Sequence, residues 1–245
     1  MFEPLQKRRY SEQIAHLIQQ RILTQNLENG AKLPAERQLA EELGVSRSVV
    51  REALRMLDAS GYVSVRKGPR GGIFVSQFYH KPISDSLKNL TAQGQVTVDH
   101  LFDVRLQMEP FMTMEAARHA TRVDIKRLYD LMAEAGQCLD DAAALKQKNI
   151  LFHILLGEAS GNPVSAMFMK SIAEILNEVA YKFLDLSCER VFFKTHLRIL
   201  KLVSDRKAEE AMKLVREDII DVRRRLSEAL QEADKVRVLS PKSKE

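Results

Sequence analysis

Arg47, Ser48, Arg51 and Arg55 carry the first chemistry that can be read from this chain. At about 100° of turn per residue they share one side of a short helix. Val49, Val50, Ala53, Leu54 and Leu57 share the other. An arginine fork can hold guanine O6 and N7 with two hydrogen bonds, or clamp a phosphate. An ordinary solvated helix also presents a charged face, so the neighbouring residues decide. Arg66, Lys67 and Arg70 lie in KGPRGG, where three glycines let a backbone approach a phosphate or groove floor closely. Between Gly44 and Gly72 there are six basic residues against two acids, Glu52 and Asp58. A basic helix beside a basic glycine loop points to DNA. A second set comes later. Asn149 and His153 stand at i and i+4 on one helix face, and His196 follows in another helical pattern. Such residues suit a metal, but hydrogen-bonded core histidines fit the same pattern.

The elements that must position the first set are legible. Leu33-Pro34-Ala35-Glu36 opens a helix, since proline is tolerated in the first turn and Glu36 suits the positive end. Leu39, Ala40 and Leu43 give it an apolar face, and Gly44 stops it. Ser46 is the expected N-cap of a helix over 47–59. Gly61 ends that helix. Tyr62 to Arg66 alternates as a strand, and Ile73-Phe74-Val75 returns. This is the order of a winged helix-turn-helix. An earlier helix, Tyr10 to about Gln25, carries Ile14, Leu17, Ile18 and Ile22 at core spacing and serves as scaffold.

Residues 77–96 read as a linker with Pro82, in which Ile83, Leu87 and Leu90 could form a short docking helix. From Thr97 onward there is no strand pattern. Helices are expected at about 98–119, 122–139, 142–160, 163–186, 189–204 and 207–232, with breaks at Thr121, Gly161-Asn162-Pro163, Ser187 and Ser204-Asp205. The expected fold is mainly α. A winged helix-turn-helix of three helices and a hairpin fills 1–76, an all-α antiparallel bundle of six helices fills 97–232, and 233–245 is a basic disordered tail.

Composition agrees. A length of 245 residues suggests about two domains, and 45% hydrophobic residues can bury a core. Residues 1–76 carry twelve basic and eight acidic side chains, 77–232 carry 22 and 23, and 233–245 carry four and two. The basic excess thus sits in the DNA-reading segment and the tail. Cys138 and Cys188 make no disulfide framework and suit reduced, small core residues. No signal-peptide pattern opens the sequence, and no apolar run approaches about 18 residues. A cytoplasmic protein is expected.

The segment LPAERQLAEELGVSRSVVREALRMLDASGYV with RKGPRGGIFV resembles the N-terminal domain of GntR-type bacterial transcription regulators, over about Tyr10 to Val75. The resemblance implies DNA contacts by Arg37, Ser46, Arg47, Ser48, Arg51 and Gly71. Arg37 is expected on a phosphate or base edge, Arg47 and Arg51 in the major groove, and Ser46 and Ser48 on the backbone. Gly71 is expected in the minor groove beside Arg70. The phrases LFDVRLQMEP, NILFHILLGEASGNP and THLRIL resemble the ligand-sensing domain of the FadR subgroup, called FCD, from Thr97 to about Glu232. That resemblance implies a homodimer on a near-palindromic operator, a repressor, and a small organic-acid effector.

FCD domains often hold a divalent metal through an aspartate and a histidine at i and i+4, plus two more histidines. Here Asn149 stands at the aspartate position, and the last helix has no histidine. A gap-free placement puts Asp218 there, and a one-turn shift puts Val215. Asn149, His153, His196 and Asp218 could still hold Zn²⁺, Mn²⁺ or Ni²⁺, or the pocket binds an organic effector alone. Arg105 matches an arginine that faces the effector's carboxylate. A salt bridge to Glu109 at i+4 fits it equally. Pro110 removes a backbone bond to Leu106 and could kink the helix there. His100 and His119 read as surface, and Asn162 as a cap or turn. Two other classes stay open. A metal-dependent hydrolase lacks a separate general base or nucleophile motif, so no enzyme is expected. An architectural DNA-binding protein would show no effector response.

Overall fold

The computed structural model describes residues 8–68, 71–76, 80–179 and 183–239. The chain divides into two compact units, Met1–Asp85 and Ser86–Glu245.

The first unit holds α1 (Arg8–Thr24), β1 (Lys32–Leu33), α2 (Glu36–Leu43), α3 (Arg47–Ala59), β2 (Val63–Arg66) and β3 (Gly72–Val75). Gly44 takes φ +64°, and its N–H caps α2 through the Ala40 and Glu41 carbonyls. That left-handed turn swings the chain from α2 into α3. α3 buries Val50, Ala53, Leu54 and Leu57 against α1 and α2, which leaves its basic side outward. The hairpin pairs antiparallel, with Val63 opposite Val75 and Arg66 opposite Gly72. β1 adds a third strand beside β3, through Lys32 opposite Phe74. Two residues carry no readable periodicity, so β1 was not expected. Leu17 is 53% exposed, against its expected core place. Ile14, Ile18 and Ile22 form the buried stripe, and Leu17 is turned about 100° from its neighbour Ile18.

α4 (Lys81–Ala92) fills most of the expected linker and spans the boundary between the units. The second unit continues with α5 (Val98–His119), α6 (Arg122–Gly136), α7 (Ala142–Ala159), α8 (Pro163–Val179), α9 (Leu186–Ser204) and α10 (Ala208–Leu239). α7 packs against α5, α6, α8 and α9, so it is covered on nearly every side. A wide apolar face belongs against a core, and α7 buries Leu145, Phe152, Leu155 and Leu156. Capping boxes open α5 and α6. Thr97 pairs with His100, and Thr121 with Asp124. Asn162 Oδ1 accepts from the Val164 and Ser165 N–H groups. α5 runs unbroken through Pro110.

Several boundaries differ from expectation, among them the end of α6 at Gly136 rather than 139. α8 ends by Val179, and α9 begins at Leu186, because Asp185 rather than Ser187 is the cap. Its carboxylate accepts from Cys188 N–H. α10 continues to Leu239, seven residues beyond the expected end of the domain at 232. Pro241 is the first strong breaker there. Residues 240–245, the end of the expected tail, lie outside the described residues.

Candidate functional site

Burial brings the later polar residues together. Asn149 and His153 sit one turn apart on α7, His196 on α9 and Asp218 on α10, and all four are buried. Asp218 Oδ2 lies 3.6 Å from His153 Nε2 and 3.5 Å from His196 Nε2. One ligand atom from each of these three residues lies within 4.8 Å of the others. His153 and His196 meet edge to face, with ring centroids 4.8 Å apart. Phe152 stacks on His196 at 4.4 Å.

The surrounding bonds set which atoms are free. Asn149 Nδ2 donates to the Glu189 backbone oxygen at 3.0 Å and to Glu189 Oε2 at 2.7 Å. Both amide hydrogens are therefore used, and the amide cannot flip without facing two acceptors. Asn149 Oδ1 is left with no donor. Both nitrogens of His196 and Asp218 Oδ2 likewise have no hydrogen-bond partner among the described residues. Burial pushes the His196 imidazole below its ordinary value, outweighing the pull of Asp218. That favours the neutral form, which offers a lone pair. Buried acceptors without donors are costly, and a cation relieves several at once. The donor set of imidazole nitrogen, carboxylate and amide oxygen suits Zn²⁺, Mn²⁺ or Ni²⁺.

Beside this cluster lies a narrow cleft, lined by Arg105, Lys146, Asn149, Ile150, His153 and His196 among others. Of the two readings of Arg105, the salt bridge is present. Its Nε and Nη2 both bond to the Glu109 carboxylate, and both side chains are buried. Glu109 Oε2 also lies 2.8 Å from His153 Nδ1, close enough for an ion pair but without the alignment of a hydrogen bond. Burial pushes the Glu109 carboxyl up, but Arg105 and His153 outweigh it and hold it at about 2.

The first unit presents the other candidate surface. Arg37 is largely exposed and lies 3.6 Å from Glu41. Arg47 and Arg55 are exposed along α3. Ser46 has the extended backbone of an N-cap, but its hydroxyl makes no cap bond and pairs with Ser48 Oγ at 2.9 Å. The expected side-chain cap is thus absent. Arg51 is held by Glu36, with Nη2 to Oε2 at 2.8 Å and Nε to both carboxylate oxygens. Between α3 and the hairpin lies a hollow lined by Arg51, Arg55, Arg66 and Lys67. Arg66 stacks its guanidinium over Phe74, 4.7 Å from the ring centre. A side chain at Gly71 would run into the Arg66 carbonyl and come within 2.8 Å of the Gly68 oxygen, so only glycine fits. Arg70 lies outside the described residues.

Residues 10–75 match the model of bacterial regulatory proteins of the gntR family, and residues 100–221 match the FCD domain. The chain belongs to the GntR family. It is 32% identical over 152 residues to the transcriptional regulator LutR of Bacillus subtilis (strain 168), covering 62% of this chain and 68% of that one. It is 36% identical over 176 residues to the protein assigned as the L-lactate dehydrogenase operon regulatory protein of Escherichia coli (strain K12), covering 69% of this chain. The match spans 66% of that relative's length. A solved GntR structure from Streptococcus agalactiae aligns at TM-score 0.59 and 27% identity, over 87% of this chain and 99% of that one. These relatives are named as transcription regulators, not enzymes. No helix among the described residues is long and apolar enough to cross a membrane.

Within this GntR chain, the two candidate positions on the last helix lie in different surroundings. Asp218 meets the histidine pair, whereas Val215 is fully buried in the apolar core. Glu189 escaped the sequence reading altogether. It sits in the first turn of α9, where an acid reads as a partner of the helix dipole. One signal was available: Glu189 and His196 stand at i and i+7, two turns apart on one face.

Proposed function

We propose that this chain is a DNA-binding transcription repressor of the cytoplasm. It acts as a homodimer, placing two copies of α3 in successive major grooves of a near-palindromic operator. A small organic acid, together with a divalent metal in the helical unit, sets its affinity for that operator. Arg37, Arg47 and Arg51, with Ser46, Ser48, Arg70 and Gly71, are the proposed DNA contacts.

One observation carries the sensing part of this reading: Asn149 Oδ1, His196 Nε2 and Asp218 Oδ2 are buried polar atoms without hydrogen-bond partners among the described residues, beside a cleft. Asn149, His153, His196 and Asp218 are the residues that would hold the metal. When bound, the metal supplies a positive centre that a carboxylate can coordinate. His153 presents Nε2 while its Nδ1 faces Glu109. Arg105 is already paired, so its positive charge is largely offset before any effector arrives. The relative named for an L-lactate dehydrogenase operon makes small hydroxy acids the first class to try. Such an effector must bind two arrangements of the protein with different affinity, or it shifts nothing.

The test is an operator titration with metal-stripped and metal-loaded protein, in the presence of a panel of small carboxylates. At least one acid should change operator affinity tenfold or more with metal present. No change beyond measurement error for any acid would remove effector control. Arg51→Ala is expected to cost about 1–3 kcal/mol and relax preference at one operator position. Unchanged discrimination among operator variants would remove Arg51 from base readout.

A further inference from the structure

The residue at 149 departs from the carboxylate of the family pattern, and the structure places a carboxylate directly behind it. Glu189 is buried at the start of α9 and accepts both hydrogens of the Asn149 amide, one on its backbone oxygen and one on Oε2. We propose that Glu189 is a positioning residue of the metal site: it locks the Asn149 amide so that Oδ1 alone is presented as a ligand. This rests on the reading that the cluster holds a metal.

The physical argument is one of donors and acceptors. An asparagine amide is two-faced, with an oxygen that can ligate a cation and an NH₂ that repels one. An unsupported asparagine would spend part of its time in the wrong orientation. A cation would also have to compete with the hydrogen bonds the amide makes elsewhere. Two acceptors on one residue, at 2.7 and 3.0 Å, remove that choice. Outer groups of this kind typically govern metal affinity by 10–100-fold. The position of Glu189 on α9, seven residues before His196, lets one helix carry both a ligand and the support of another ligand.

The test measures Zn²⁺ and Mn²⁺ affinity by competition with a chelating dye, using metal-stripped full-length protein. Melting temperature is recorded for every variant as a check of folding. Glu189→Leu should weaken binding ten- to a hundredfold. Glu189→Gln keeps an acceptor oxygen for the amide and should recover most of that loss. In an Asn149→Ala background, Glu189→Leu should cost no more than twofold, because the residue it positions is gone. An equal loss in both backgrounds, or equal losses for Leu and Gln, would show that Glu189 acts by charge or packing alone and would overturn the proposal. So would a Glu189→Leu variant that binds like the parent chain. If the parent chain itself binds neither ion, the metal reading fails first, a result distinct from any pattern among the variants.

Discussion

At the residue scale, Arg105 and Glu109 set the character of the helical unit's interior. A guanidinium and a carboxylate are both buried there and bonded at two points. Neither charge can be removed alone without leaving the other in a medium that solvates it poorly. Glu109→Ala is therefore expected to destabilise the protein by about 3–5 kcal/mol, read by urea unfolding. The double change Arg105→Met/Glu109→Leu should lie much closer to the parent. Equal losses for the single and double changes would show that packing, not charge pairing, is at stake. This scale also marks what a sequence can disclose. The pairing of Arg105 with Glu109 was legible because it spans one helical turn. The contact of Asn149 with Glu189 was not, because it joins residues 40 apart through helix packing. The basic edge of α3 was legible, but its engagement of Arg51 by Glu36 was not, for the same reason.

At the scale of elements, α7 is tied to both neighbours by one carboxylate. Glu158 meets Arg127 of α6 at 2.9 Å and Lys170 of α8 at 2.6 Å. Burial raises the Glu158 carboxyl, and the two cations more than offset this, so it lies below its ordinary value. A carboxyl depressed in the folded state stabilises fully above its unfolded value, near pH 4.3. That contribution is lost as pH falls through the folded value. Glu158→Gln should thus cost about 1 kcal/mol at pH 7, and the difference from the parent should shrink as pH falls below about 4.3 and through the folded value. A gap that stays constant over that range would assign the effect to packing. Helix ends were well marked in the sequence at Thr121, which starts α6, and at Gly44, which stops α2. The start of α9 was misplaced because Asp185 and Ser187 are both good caps, and only the bond to Cys188 distinguishes them.

At the scale of the whole molecule, each unit encloses its own apolar core. Val50 and Leu54 belong to the first, and Phe152 and Ile175 to the second. A ligand held in the helical unit raises the stability of that unit by mass action, by about 2.7 kcal/mol at a hundredfold excess over its dissociation constant. Chelation should lower the melting transition of Ser86–Glu245 and leave that of Met1–Asp85 in place. If neither transition moves, the protein as purified carries no stabilising metal. The packing of α7 also bears on how the protein changes over generations. Asn149 and His153 stand on the same helix as the core residues Leu145 and Phe152, so most substitutions at the proposed metal site also disturb folding. Lys146 and Ile150 line the cleft from that helix but are only partly buried. Under the proposed sensing role, they are the places where a lineage can retune the ligand without first surrendering the fold.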